Sequence, residues 1–455
     1  MCAEKYDPET TRLRSFHDHV PAFVDGSDTP RAFLERCLAE IDQRDGDVRA
    51  FVTLNLDGAR AAADASAERY AQGAPLSEID GLPMGIKDIL ETEDMPTGCG
   101  SPNFDGNHTG RDAALVWGLR QAGAVIVGKT VSTEFAFFSP GPTRNPFDLS
   151  RTPGGSSSGS GAAVGAGFVP VAIGSQVVGS LIRPSSFNAN FGFKPSLGAI
   201  NREGAYFNLS QNAVGTQAAS LTDAWTTARV AVRHAGGDPG FVGLTGEAAL
   251  PAAAAPMRLA RFDSAGWART SPEVQAKFNA LLDTLADAGA PISGRQDDAR
   301  LEQFEQLMAP ALDLSIGICG YEARWPISYY HQRNPASVSR DMAARLPEWD
   351  RISTDDYAVM LNKRTAMRAC HAALSPAFTA LITLSAPGAA PVGHATTGDP
   401  IFAVNSSILG APAISLPLLE AEGMPLGVQI IGYPGQDRQL FALAQWIMVA
   451  AGMAP

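Results

Sequence analysis

Residues 151–160 read Arg151-Thr152-Pro153-Gly154-Gly155-Ser156-Ser157-Ser158-Gly159-Ser160, and residues 179–184 read Gly179-Ser180-Leu181-Ile182-Arg183-Pro184. Between them lie a small-residue segment, 162–166, and an apolar run, 168–173; Gly192-Phe193-Lys194-Pro195 closes the stretch. Serine is a weak nucleophile unless a base sits beside it, and glycine lets backbone N–H groups crowd a reacting centre. The stretch therefore reads as hydroxyl nucleophiles set among backbone donors, for which the rest of the chain must supply a base and a pocket. A Gly/Ser-rich linker is the competing reading. It has no need of an apolar run with the character of a buried strand, nor of an Ala/Gly segment suited to a helix lying very close to a neighbour.

Working outward, helical and strand patterns alternate. Ser27-Asp28-Thr29-Pro30 starts a helix, with proline in the first turn, and 59–70 is a second, Ala-rich helix. A helix over 112–122 precedes a buried strand with a turn at 123–130, and 134–147 is loop-like. Beyond the central stretch come a helix at 222–234, a Gly/Pro/Ala-rich segment at 236–256 and a short strand at 257–262. Helices follow at 274–288, 301–318, 355–373 and 440–449, with strands at 380–384, 414–416 and 427–432 and a Gly/Pro loop at 385–400. The region 320–355 carries Trp325, Tyr329, Tyr330 and Trp349 between prolines and charges. It reads as a loop, either capping a pocket or serving as a packed connector. The alternation predicts an α/β fold with a mixed, largely parallel central sheet covered by helices on both faces.

The balance of residue types narrows the function. Among 455 residues 45 % are apolar and 18 % charged, enough for a large core. The formal charge, 35 − 47 = −12, with no basic run, disfavours nucleic-acid or anionic-membrane binding. Cys2, Cys37, Cys99, Cys319 and Cys370 are scattered without a CxxC pair, so neither a zinc knuckle nor a disulfide frame is expected. No HExxH occurs, and His17 and His19 sit in a polar stretch that reads as solvated. Residues 1–11 lack an apolar h-region, so no signal peptide is expected. No run of about 18 apolar residues suggests a membrane span. A cytoplasmic enzyme fits this pattern.

Three motifs compete for the chemistry. Gly123 to Thr130 matches the GxxxxGK[ST] phosphate-loop pattern, but Ala-Val-Ile-Val is a strand rather than a pliable loop, and no apolar run ending in Asp follows. Gly155 to Gly159 matches GxSxG with Ser157 at its centre, yet the elbow needs a strand directly before it, and 146–153 is polar and broken by proline. In Gly81-Leu82-Pro83-Met84-Gly85-Ile86-Lys87-Asp88-Ile89-Leu90, a lysine lies in an apolar setting. It is either partly desolvated or a snorkelling surface residue. A lysine acting through a serine is a known variant of the serine triad.

With these residues in place the chain resembles the amidase signature family, and within it the malonamidase-type branch. The family pattern has lysine in Gly-Ile-Lys-Asp, then Gly-Gly-Ser-Ser, then a second serine 24 residues later, followed by Arg and Pro; here these are Lys87, Ser156 and Ser180, with 180 − 156 = 24. The match covers 81–100, 122–138, 142–198 and 387–432. The resemblance implies one compact catalytic fold: an N-terminal helical part at about 1–75, a core at about 76–235 and 380–455, and a variable helical or cap insertion at about 236–379. It implies that Ser180 attacks the acyl carbon, that Ser156, in a cis peptide bond, relays the proton, and that Lys87 accepts and returns it. Backbone N–H groups of Val177, Val178, Gly179 and Ser180 would form an oxyanion hole. Such a lysine must be uncharged, and lowering its pKa by about 3 units costs roughly 4 kcal/mol, within reach of burial.

Departures from the commonest form bear on the substrate. Gly174-Ser175-Gln176-Val177-Val178-Gly179-Ser180 stands where Gly-Thr-Asp-Thr-Gly-Gly-Ser is usual; Gln176 and Ile182-Arg183-Pro184 are similar to the malonamidase-type branch. Asn188-Ala189-Asn190 stands where small or cysteine residues are usual, and Asn212 where Asp is often found. Arg183 either clamps a substrate carboxylate or makes a structural salt link. Phe137 and Phe138 suit aryl or alkyl amides, and Gln176 is a further candidate for substrate binding. The expectation is a serine hydrolase cleaving C–N bonds of small linear or aryl amides through an acyl-enzyme, with carbamates and esters open and no metal or cofactor. A homodimer is compatible with it. The alternatives are a component of a transfer-RNA-dependent amidotransferase and a binding protein on the same scaffold.

Overall fold

The computed structural model describes residues 6–11 and 13–453. Part of the 1–11 segment read for a signal peptide therefore lies outside the described residues, as does Cys2. Eleven strands build one sheet. They are β1 Phe51–Leu54, β2 Pro83–Lys87, β3 Val125–Thr130, β4 Val171–Gln176, β5 Phe191–Lys194 and β6 Ala213–Ala218. The remaining five are β7 Leu259–Arg261, β8 Ile292–Ser293, β9 Ala380–Leu384, β10 Ala413–Ala421 and β11 Met424–Ile431. Their order is β1-β3-β2-β4-β6-β5-β10-β11-β9-β7-β8.

The sheet is mixed. Parallel pairing is concentrated in β3–β2–β4 and in β9–β7–β8. The six other pairings are antiparallel. Every residue of β2, β3 and β4 is buried, which suits the apolar runs that open them, since a strand covered on both faces has no solvent side to mark with polar residues; their polar residues gather at the C-terminal ends. β4 begins at Val171, later than the apolar run that announces it, and continues through Gly174-Ser175-Gln176. Pro170 cannot donate to a ladder and stays at the strand's entrance. β6, absent from the sequence expectation, slots between β4 and β5. β10 and β11 run on well past the expected segments and meet at Glu422-Gly423, both with positive φ (56° and 75°), the backbone that a two-residue hairpin turn demands.

Helices cover both faces. Thr29 Oγ1 caps the helix Pro30–Val48 by accepting from Ala32 N, as its Thr-Pro start predicts. The helix Ser158–Gly165 is built of small residues because it touches its neighbours through backbone: a Cβ on Gly159 would strike the Ala50 carbonyl and Val131 N, and one on Gly165 the Asn188 carbonyl.

Three expectations are corrected here. The single helix over 301–318 is two, Ala299–Met308 and Ala311–Arg333, broken at Pro310, which has no backbone N–H to carry the first helix's hydrogen-bond ladder onward. The region 320–355 is not a loop: the second of these helices runs on past Pro326, and short helices Arg340–Ala343 and Leu346–Trp349 follow. One proline removes one helical hydrogen bond, and burial of Ile318, Cys319, Ala323 and Ile327 on the inner side outweighs that loss. His17, read as solvated, instead meets Asp223, with Nδ1 2.6 Å from Oδ1. Among the described residues no helix is long and apolar enough to cross a membrane.

Candidate active site

β2 and β4 are parallel neighbours, so their C-terminal ends lie together. Lys87 is the last residue of β2, and Ser175 and Gln176 close β4. Crevices at the carboxyl ends of strands are where open α/β sheets place their chemistry.

Lys87 is fully buried. Its Nζ lies within hydrogen-bond distance of Ser156 Oγ, at 2.7 Å, and of Ser175 Oγ, at 2.9 Å. Among the described residues no carboxylate pairs with it: the adjacent Asp88 turns to Lys129 (3.3 Å) and accepts from Gly98 N. Burial pulls the Lys87 pKa well below its ordinary value. Cys99, the nearby titratable group, is itself pushed far up by burial and by Asp88, and remains a neutral thiol that supplies no negative charge. The snorkelling reading of Lys87 is thereby excluded. Ser175 is a partner that sequence reasoning passed over. Lying one residue before Gln176 in the quoted motif, it could have been found from the alternation of β4, which brings every second side chain to one face.

The Gly155–Ser156 peptide is cis. Ser156 is 1 % exposed, and its loop is tied to the second serine loop where Ser157 N donates to the Ser180 carbonyl at 3.1 Å. Ser157 Oγ bridges Ser175 N and O, at 3.1 and 3.2 Å. That occupied, buried hydroxyl is a strut, and the elbow reading fails. Ser180, half-buried, lines a cavity of about 470 Å³ together with Ser156 and Ser175. Among the described residues its Oγ has no hydrogen-bond partner. The backbone N–H groups of Val177, Val178, Gly179 and Ser180 likewise donate to nothing among the described residues, while all four residues line the same cavity. Successive undonated N–H groups beside a free hydroxyl form an anion-receptive concavity.

Gln176 does not reach the cavity, and its assignment to substrate binding is corrected. Its Oε1 accepts from Leu181 N (3.0 Å) and Ile182 N (2.9 Å), and its Nε2 donates to Ala403 O (3.2 Å) and Ser407 Oγ (3.0 Å). An amide with both ends engaged by protein has nothing left for a ligand; it holds the 177–182 turn that presents the N–H groups.

Arg183 lines the cavity. Its Nη2 donates to the Gly155 carbonyl (2.7 Å) and to Thr397 Oγ1 (2.9 Å), and its Nε is buried without a partner among the described residues. No carboxylate lies within ion-pair distance among those residues, and burial pulls its pKa down to about 10 against the opposing influence of Asp399. The structural salt link is therefore absent. Arg183→Lys keeps the charge and loses the fork, freeing the loop at 395–398 and the Gly155 carbonyl. The expected result is a fall in kcat/KM of roughly tenfold to hundredfold, the cost of leaving a buried acceptor unpaired; unchanged kinetics would deny that Arg183 organises the site.

Phe137 and Phe138 line the cavity, joined by Phe135, Phe207 and Trp349. Arg345 lies over the Phe138 ring at 4.0 Å. The cap helix Arg340–Ala343 is tied to this wall by Glu134, whose Oε1 accepts from Ser339 N at 2.9 Å and whose other oxygen meets Ser339 Oγ. Among the described residues no group of three or more His, Cys, Asp or Glu is placed to hold a metal.

The Amidase family profile matches residues 32–441. A glutamyl-tRNA(Gln) amidotransferase subunit of Anaeromyxobacter dehalogenans (strain 2CP-C) is 31 % identical, with 93 % of each chain covered. A solved chain from a vestigial protein complex that reveals the evolutionary origins of an s-triazine catabolic enzyme superposes with a TM-score of 0.84 at 26 % identity, covering 97 % of this chain and 99 % of that one. A bacterial aryl acylamidase of the amidase signature family shares the fold, with a TM-score of 0.81 at 22 % identity over 96 % of both chains. With Ser156 and Ser180 lining one cavity, Lys87 bonded to Ser156 behind it, and the family profile spanning nearly its whole length, the chain belongs to the amidase signature family, the enzymes of which act on carbon–nitrogen bonds.

Proposed function

We propose that the protein is a serine amidohydrolase in which Ser180 is the nucleophile, Ser156 the proton relay and Lys87 the base. The observation that carries this reading is a fully buried lysine, without a carboxylate partner among the described residues, 2.7 Å from the Oγ of Ser156, which shares a cavity with a Ser180 whose Oγ is free among those residues. Burial favours the uncharged amine, whose lone pair takes the Ser156 proton as Ser156 Oγ takes that of Ser180. The Ser180 Oγ–C bond forms, and the carbonyl oxygen becomes an oxyanion received by the N–H groups of 177–180. Collapse breaks the C–N bond while the proton returns from Lys87 through Ser156 to the leaving amine. Water then repeats the sequence on the acyl-enzyme and releases the acid.

The aromatic walls favour aryl or alkyl amides as substrates. Arg183, a buried cation without a counter-ion among the described residues, adds a place for a substrate carboxylate, in keeping with the malonamidase-type motif. Carbamates and esters offer the same carbonyl to the same serine. The acidic charge balance speaks against a nucleic-acid surface, and the reading needs neither metal nor cofactor. A second reading, a component of a transfer-RNA-dependent amidotransferase, is favoured by the 31 % identity to one such protein. Purified chain assayed alone on anilides, short aliphatic amides, their carboxylate-bearing counterparts and carbamates separates the two. Turnover is expected without a partner; activity that requires partner proteins would favour the second reading. Failure of a fluorophosphonate to label the protein would leave only a binding role.

A further inference from the structure

Phe207, Leu209 and Asn212 line the cavity beside the aromatic loop 135–138, Phe207 meeting the Phe135 ring at 5.4 Å. Asn212 is 1 % exposed, and its Oδ1 is buried without a hydrogen-bond partner among the described residues. A buried acceptor left unpaired is costly unless a ligand or water meets it. Which end of the amide faces the cavity is settled by a chain of bonds behind it. Asp238 grips Arg202, accepting from Nε at 2.6 Å and from the backbone N at 2.8 Å. Arg202 in turn donates through Nη1 to the Asn212 carbonyl at 2.8 Å. Asn208 Nδ2 donates to the Arg202 carbonyl at 2.9 Å, so Asn208 must present Oδ1 to its other neighbour. Asn212 Nδ2 donates to that oxygen at 3.2 Å. Turning either amide over would set two acceptors or two donors face to face. Oδ1 is thus the atom that Asn212 holds ready.

We infer that Asn212 is a specificity-determining residue whose Oδ1 accepts an N–H of the substrate, and that Asn208 and Arg202 are positioning residues that fix its orientation. This rests on the cavity being the substrate site, and it narrows the substrate class to amides or carbamates that carry an N–H donor reaching this wall. A substrate group that brings a donor to this wall pairs the buried acceptor, and one without a donor leaves Oδ1 unpaired. Sites built to take a hydrogen from a substrate reject analogues lacking it far more strongly than apolar pockets reject a changed methyl group.

The test uses two matched substrate pairs with the full chain. One is an anilide and the aryl ester of the same acid. The other is an aryl ester whose acyl chain bears an acetamido N–H and its N-methyl counterpart. In Asn212→Leu the N–H member of one pair is expected to lose about tenfold or more in kcat/KM beyond the loss of its partner. Asn208→Ala, at an exposed position, frees the Asn212 amide to turn and is expected to reduce the same preference by about threefold or more, even where the Leu variant fails to fold. Calorimetric binding of benzamide against N,N-dimethylbenzamide reads the same coupling without turnover. Coupling below about twofold in both pairs, in both variants and in the binding measurement overturns the assignment. Labelling of wild-type Ser180 by a fluorophosphonate is measured separately: its failure counts against the acyl-enzyme reading, whereas labelling without coupling counts against Asn212 alone.

Discussion

Ser180→Ala is expected to lower kcat on any turned-over amide by on the order of a millionfold, the loss seen when a serine nucleophile is removed from a proton-relay unit. Fluorophosphonate capture should disappear with it. The side chain is half-buried and its Oγ bonds to nothing among the described residues, so the truncation leaves the fold and the 177–180 backbone intact. Unlabelled but folded protein is therefore the informative outcome. Some acceleration over water should remain, because the N–H groups still receive developing charge. Ser156→Ala should approach the same floor, since Lys87 is then left without the hydroxyl it contacts at 2.7 Å. The double variant should be scarcely worse than either alone, as residues acting in one relay do not add. Independent, multiplicative losses would break the link between the two serines.

Lys87→Met tests the same unit from its other end, and its largest effect is on pH dependence. Burial lowers the Lys87 pKa well below 10.5, so the folded protein binds no proton there while the unfolded chain does. Stability then rises with pH across the window from the lowered pKa up to 10.5, by about 1.4 kcal/mol per pH unit. Below the window both states are protonated, and the full cost of the buried charge is present. Buried Lys194, its pKa lowered to about 7, adds the same slope to both proteins, so urea unfolding up to pH 10 should show the Lys87 contribution as a steeper rise in the wild type than in the variant. Parallel curves would mean that the amine stays charged when folded. Activity carries the opposite end of the same titration. Wild-type hydrolysis should fall about tenfold per pH unit below the lowered pKa as the base is protonated. The variant should lose on the order of ten-thousandfold, with a flat profile. A flat wild-type profile at acid pH, with chemistry rate-limiting, would count against a lysine base.

The residues of the site were readable as letters, and their roles as contacts were not. Local rules suffice for the buried strand at 125–130 and for the Thr29-capped helix, because strand periodicity and capping act over a few neighbours. They also dispose of the phosphate-loop match, since Gly128, Lys129 and Thr130 belong to β3, where Lys129 is spent on the Leu90 carbonyl and Thr97. The motifs around Lys87, Ser156 and Ser180 carried the resemblance to the family whose profile matches the chain.

Tertiary structure alone decided that Lys87 meets Ser175 across 88 residues of chain, that Gln176 is a buttress, and that Arg183 has no counter-ion among the described residues. It also decided that Asn212 keeps an open acceptor and that the aromatic region 320–355 is helical. Each of these depends on which groups satisfy a buried polar atom or cover an apolar face, and those partners arrive from distant segments. Sequence periodicity records that a side chain must be buried; only the packed fold records what it is buried against.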